Sequence, residues 1–284
     1  MTERPRLLLI HAFSLPETAR YHVRRFHGAK EEVLMNYRHL AHLLADVEWD
    51  LHPGAPATHG DWPVEKREEF MSVGLNRLPI VRAGCEGGQY DAIVLLGGGD
   101  PGFAEATEIA IRHGIPVTSN AHAQMHVASM LGSRFSIIDI SEAHNLRMAD
   151  LVVQYRMEPR CASIRNIDYP LPRPPYDQPR SVQAEKEKYE RGEASGMLEA
   201  AVEAALASIE EDGAEVLIIG CSAAFWLCEP LQARLAALGW AVPVLEGYRC
   251  AIEMAKLLVK LRLTASPLAY PSDNPARKRA RKFV

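Results

Sequence analysis

The chain has 284 residues, 48% of them hydrophobic and 24% charged, and its 32 basic and 36 acidic side chains leave a net charge of −4. That suits an ordinary soluble globular protein with one sizeable core or two modest domains. The near balance of charge argues against a nucleic-acid surface as the main function, and no apolar run approaches a membrane span. Residues 1–6 lead directly into a short apolar strand rather than a secretory segment, so a cytoplasmic protein with no membrane partner is expected. Five cysteines, at 85, 161, 221, 228 and 250, make an odd set with no CxxC pair. This argues against both a disulfide framework and a zinc site.

Apolar runs rich in leucine or β-branched residues predict strands at 7–10, 92–96, 116–118, 135–138, 163–167, 216–219 and 242–245. Helical patterns fill the intervals. Residues 29–45 place Val33, Leu34, Tyr37, Leu40, Leu43 and Leu44 on one face, and 197–209 and 231–238 read likewise. Residues 53–61 and 170–179 are loops by their proline and glycine content; the second, with five prolines, is stiff enough for a rim or an oligomer contact. The basic run 277–282 reads as a solvated terminus or a contact for an anionic partner. Strands alternating with helices predict an α/β fold with mainly parallel sheets covered on both faces.

The strand ends repeat. Ile10-His11 pairs with Ile138-Asp139, Gly97 with Cys221, and Ile115-Pro116-Val117 with Val242-Pro243-Val244, at offsets of 128, 124 and 127 residues. These near-equal offsets predict two pseudo-symmetric Rossmann-like halves, 1–119 with 247–284 and 120–246, with a ligand site between them beyond the carboxyl ends of the strands. In each half a strand runs into a small-residue turn that opens a helix, at Leu95-Leu96-Gly97-Gly98-Gly99-Asp100-Pro101-Gly102 and at Ile218-Ile219-Gly220-Cys221-Ser222-Ala223-Ala224. Gly97 holds the same backbone turn as Cys221 but offers no thiol.

Cys221 is therefore the leading catalytic candidate, because free N–H groups and a helix dipole at such a turn favour a thiolate and can hold a carboxylate or enolate oxygen. Cys161, Cys228 and Cys250 read as packing residues. Gly97, Gly98 and Gly99 let backbone approach a ligand, with the Gly98 and Gly99 N–H groups as oxyanion donors. The run is not GxGxxG and no P-loop lysine follows, so nucleotide binding is discounted. His11 and His122 fall on the ligand side of the sheet as acid/base partners, His11 and Asp139 as a dyad. Ser14, Ser141 and Ser222 are candidate carboxylate donors, with Gly220 in the same turn. His122, His126 and Asp100 make only a weak metal set, and no metal is expected.

Asp91-Ala92-Ile93-Val94-Leu95-Leu96-Gly97-Gly98-Gly99-Asp100-Pro101-Gly102 resembles the first active-site strand of the hydantoin and allantoin racemases, in the aspartate/glutamate racemase superfamily. Arg160-Cys161-Ala162-Ser163-Ile164-Arg165-Asn166-Ile167-Asp168, Ile219-Gly220-Cys221-Ser222, Pro243-Val244-Leu245-Glu246-Gly247 and the ending Leu263-Thr264-Ala265-Ser266 with Tyr270-Pro271 are similar to further stretches of that family, in the same order. The resemblance implies two α/β halves, an oligomer, no cofactor, and two cysteines facing each other across the substrate carbon. Here the family's Cys-Phe-Gly-Asp-Pro-Gly aligns with Gly97 to Gly102, so the first cysteine is replaced, and Cys85 lies too far upstream to substitute. Three further positions depart: His11-Ala12-Phe13-Ser14 where the family has Asn-Pro-Asn-Thr, His122 for a helix-opening Glu, and Asp139-Ile140-Ser141 for a Thr pair.

The expected function is a cofactor-independent carbon-acid enzyme, a racemase or isomerase moving a proton next to a carbonyl through Cys221. Its substrate would be a small-molecule carboxylate or cyclic ureide. A racemase needs a second base, which would be a histidine or Asp139. A malonate-type decarboxylase needs only one proton donor, and the arylmalonate decarboxylases, similar to this superfamily, also have one cysteine and a glycine at the other position. A thiol-dependent hydrolase and a non-catalytic ligand-binding protein are the remaining alternatives.

Overall fold

A computed structural model of the chain describes residues 4–175 and 180–270; the basic run 277–282 and positions 176–179 of the proline loop lie outside them. Two four-stranded sheets carry the fold. The first is built from β1 (Arg6–Ile10), β2 (Glu48–His52), β3 (Ala92–Leu95) and β4 (Val117–Ser119) in the order β2-β1-β3-β4. The second, from β5 (Phe135–Asp139), β6 (Cys161–Asn166), β7 (Val216–Ile219) and β8 (Val244–Leu245), repeats that order as β6-β5-β7-β8. Every pairing is parallel. Their registers reproduce the offsets read from the sequence: Ile10 pairs with Leu95 as Ile138 pairs with Ile219, and Ile93 with Val117 as Leu217 with Val244.

β3, β5 and β7 are buried along their whole length, and β3 and β7 accordingly read as unbroken apolar runs. β2, Glu-Trp-Asp-Leu-His, is an edge strand with one exposed and three partly exposed residues, and such a mixed pattern carries no apolar run to detect. The helix expected over 29–45 is broken into α1 (Lys30–Val33) and α2 (Tyr37–Leu44). Asn36 takes a left-handed conformation (φ 70°), which its short polar side chain tolerates and which a continuous helix does not.

The remaining helices are α3 (Arg67–Glu86), α4 (Phe103–Ala110), α5 (Asn120–Leu131), α6 (Glu142–Gln154), α7 (Val182–Glu190), α8 (Gly196–Glu210), α9 (Cys228–Ala237) and α10 (Gly247–Leu261). None among the described residues is long and apolar enough to cross a membrane. α10 follows the last strand of the second sheet yet packs against β3 and β4 of the first, where Tyr248, Ala251, Ile252 and Ala255 join Leu7, Leu9, Val94 and Leu96 in one cluster. α5 lies between the sheets; Gln124 Nε2 donates to the carbonyls of Ile219 and Leu245 at 3.0 and 3.1 Å, tying it to the ends of β7 and β8. At the corresponding end of the first sheet, the fully buried Arg77 of α3 donates to the carbonyls of Ile10, Leu96 and Pro101, fixing the turns that follow β1 and β3.

Candidate active site

The carboxyl ends of both sheets converge on one partly enclosed cavity. It is lined by His11, Ala12, Arg24, Gly97 and Gly98 from the connections of the first sheet, by His144, Leu171, Cys221, Ser222 and Ala223 from those of the second, and by Tyr248 from α10. Much of the remaining wall is apolar: Phe13, Val23, Met35, Val64 and Phe70.

Cys221 lies two residues beyond the end of β7 and caps a short 3-10 turn, Ser222–Leu227, that precedes α9. The side chain is 5% exposed. Burial raises its pKa, the nearby Asp139 charge adds to that, and the N–H groups of Ala223 and Ala224 oppose it only in part. The resting group is therefore a neutral thiol, not the thiolate that the turn alone suggests, because desolvation outweighs the dipole of so short a turn.

Gly97 sits at φ +117°, and a side chain there would place its Cβ 2.9 Å from that of Ala12. Gly98 donates its N–H to Ser222 Oγ, so the repeat-related turns are bonded to each other and that N–H is already engaged. Gly99 lies behind the cavity wall: its carbonyl accepts from Arg147, and a Cβ would strike Phe70. Gly220 has a different use, since a Cβ there would come 2.7 Å from the Asp139 carboxyl carbon; its bareness makes room for that side chain.

Asp139 does not pair with His11. It pairs with His144, whose Nδ1–H donates to Oδ2 at 2.7 Å, while Oδ1 accepts the Ile140 N–H at 2.9 Å. Ser141 caps α6 and accepts the His144 backbone N–H, which makes it a positioning group rather than a ligand donor. Burial lowers the imidazole's proton affinity, but the Asp139 carboxylate more than offsets this and raises its pKa above the usual 6.5. With Nδ1 committed to Asp139, Nε2 takes no hydrogen-bond partner among the described residues and stands beside Gly98 on the cavity wall. His144 was missed in the sequence. Its available signal was a strand-end Asp followed, past a capping serine, by a histidine in the first turn of a helix.

His11 is in the cavity but held neutral: its Nε2 faces the Val33 carbonyl at 3.2 Å, so Nδ1 accepts from Tyr248 OH at 3.3 Å. Burial, helped by the charges of Arg24 and Arg77, puts its pKa well below 6.5. His122 lies outside the cavity, packed against Phe103, His126 and Tyr155, with burial and His126 bringing its pKa down to about 3. Asp100, expected near it as a possible ligand, is consumed by the Ser119 hydroxyl, the Ala121 and His122 N–H groups and Tyr155 OH. No three His, Cys, Asp or Glu side chains among the described residues converge as metal ligands. Ser14 is also away from the cavity, in a backbone bridge to Pro56.

A profile of the Asp/Glu/Hydantoin racemase family matches residues 73–255. The chain is 34% identical over 207 residues to a hydantoin racemase of Rhizobium meliloti, covering 72% of this chain and 75% of the relative. A hydantoin racemase of Pseudomonas sp. (strain NS671) is 29% identical over 201 residues, covering 71% and 70%. Among solved structures, the allantoin racemase from Klebsiella pneumoniae superposes with a TM-score of 0.65 at 25% identity over 98% of this chain and 96% of that one. Glutamate racemase from Francisella tularensis shares the fold at a TM-score of 0.54 and 12% identity, covering 96% and 90%. With well over half its length matched by that profile, and the fold of those racemases around a buried cysteine, the chain belongs to the Asp/Glu/hydantoin racemase family.

Proposed function

We propose that the chain is a cofactor-independent racemase or isomerase of a small carbon acid, working with one thiol and one imidazole. The observation that carries this is the convergence of Cys221 and the Asp139-oriented His144 on a single cavity. Neutral His144 removes the proton next to the substrate carbonyl through Nε2, the electron pair moves onto the carbonyl oxygen, and the Cys221 thiol returns a proton to the carbon from the other side. What remains is an imidazolium and a thiolate, the pair required to run the opposite enantiomer in reverse. Asp139 fixes the tautomer, and His11 with Tyr248 OH lines the substrate side as neutral hydrogen-bonding groups.

A one-sided decarboxylase is favoured by a different observation, the absence of room for a second thiol at Gly97. Hydantoins, allantoin, amino acids and arylmalonates incubated in deuterated water, beside Cys221→Ala and His144→Gln controls, separate the two. Deuterium entering both enantiomers without mass loss, and only with Cys221 and His144 present, supports the racemase. Carbon dioxide release that survives His144→Gln supports the decarboxylase; no exchange and no release leaves a ligand-binding protein. The same reading takes the chain as a cytoplasmic homo-oligomer, supported by five unpaired cysteines and by the exposed Met71 and Leu75 on α3.

A further inference from the structure

Arg24 sits in the long connection of residues 11–29 between β1 and α1, and it reaches the cavity wall beside His11 and Tyr248. Its Nη2 donates to the carbonyls of Phe13 and Pro53 at 2.6 and 2.9 Å, its Nη1 to that of Arg25 at 2.9 Å, and the guanidinium lies 4.1 Å from the Phe26 ring centre. These contacts fix its position but do not neutralise it: no carboxylate among the described residues pairs with Arg24.

The acids around the cavity are already used. Asp139 holds His144, Glu65 and Glu69 face Arg173, and Glu246 caps α10 through the N–H groups of Tyr248 and Arg249. The enclosed charge is costly enough that burial brings its pKa down to about 9 and that it depresses the neighbouring His11. A part-buried, preoriented guanidinium against a largely apolar pocket with no other charge facing it is poorly explained by loop packing alone, since a neutral amide would serve the same carbonyls at lower desolvation cost.

We infer that Arg24 is the anion-binding residue of this cavity, and that the substrate carries a carboxylate separate from the carbonyl that acidifies its reacting carbon. Two guanidinium N–H groups, Nε–H and one on Nη1, take no partner among the described residues and are the donors available to it. The inference deepens the reading above by choosing acidic carbon acids over neutral ureides. A carboxylate docked on Arg24 completes the ion pair that the protein leaves open, and the substrate's body then lies along Phe13 and Val23 toward Cys221 and His144.

The test is calorimetric and needs no turnover. Binding of 5-(2-carboxyethyl)hydantoin is compared with that of its near-isosteric amide, 5-(2-carbamoylethyl)hydantoin, in the wild type, Arg24→Gln and Arg24→Lys. The acid is expected to bind the wild type roughly tenfold or more tighter than the amide, as one charge-assisted contact gives. That preference disappears in Arg24→Gln and is largely kept in Arg24→Lys. Equal binding of acid and amide by the wild type, a preference that survives in Arg24→Gln, or no binding of either at millimolar concentration overturns the assignment. Should Arg24→Gln not fold, the wild-type preference and its retention in Arg24→Lys still decide. Deuterium exchange on the same two ligands separates the two claims: a preference for the acid without exchange leaves the anion site standing and removes the racemase, and exchange without preference does the reverse.

Discussion

Replacing Asp139 with Asn tests the imidazole's role most directly. The side chain is 1% exposed, and both its oxygens are engaged, one by His144 Nδ1–H and one by the Ile140 N–H. An asparagine keeps the shape and can keep the Ile140 bond, but its NH2 then faces Nδ1, which must become the acceptor. The neutral ring is thereby forced to carry its proton on Nε2, the atom that has to accept one from substrate. Loss of a general base of this kind costs ~10²–10⁴-fold in rate.

The stability effect has a definite sign. Because the folded pKa of His144 is raised, the imidazolium–carboxylate pair contributes fully below the unfolded value near 6.5 and fades as pH rises through the folded value. A charge-assisted hydrogen bond is worth ~1.5–3 kcal/mol against about 1 for a neutral one. With a neutral bond kept by the asparagine, Asp139→Asn is therefore expected to destabilise the protein by ~1–2 kcal/mol at pH 6 and by less as pH rises, read from urea unfolding. Nitrogen-15 spectra of the imidazole should show the tautomer switch and a lowered titration midpoint. A penalty that is flat or grows with pH, or a variant whose Nδ1 keeps its proton, refutes the reasoning.

Three further outcomes are expected. Gly97→Cys, which restores the thiol that the family resemblance places there, meets both a φ of +117° and the Ala12 methyl; it should cost ~1–3 kcal/mol, and Ala12→Gly should recover only part of the lost melting temperature. Acid should weaken the fold, because His11 and His122 have depressed folded pKa values and so lose their contribution as pH falls below the unfolded value near 6.5. At pH 5 each costs ~2 kcal/mol, and His122→Gln should remove part of the decline in urea midpoint between pH 7 and 5, with His52 and His126, also depressed by burial, adding to the remainder. Alkylation of Cys221 by iodoacetamide should be slow at neutral pH and still climbing at pH 10, since burial keeps the thiol protonated; a rate that levels off near pH 7 would show a thiolate instead.

The parts of the fold that were readable are those where burial erases ambiguity. β3, β5 and β7 are enclosed on both faces and announce themselves as apolar runs, and the matching turns after β3 and β7 reveal the repeat. β2 escaped because an edge strand shares its residues with solvent, and the break at Asn36 escaped because helical periodicity continues across it. At the site, Cys221 and Asp139 were legible from their place at strand ends. Their partners were not: Asp139 could be matched to a histidine only by knowing that α6 folds back over β5, which selects His144 five residues away over the repeat-related His11. Arg24 carried no local signal, because its significance lies in the absence of a nearby acid, a property of three-dimensional neighbours.

The return of α10 to the first sheet has a consequence for how the chain is made. Leu7, Leu9, Val94 and Leu96 have one face waiting for Tyr248, Ala251, Ile252 and Ala255, which leave the ribosome more than 150 residues after β3. The first sheet therefore emerges with that face only partly covered, by Leu34, Leu40 and Leu44, while the second is still being synthesised. During translation the nascent chain carries that exposed surface for most of its elongation, and a chaperone that shields apolar sheet faces has its longest opportunity there. Docking of α10 is what covers that face in the folded protein.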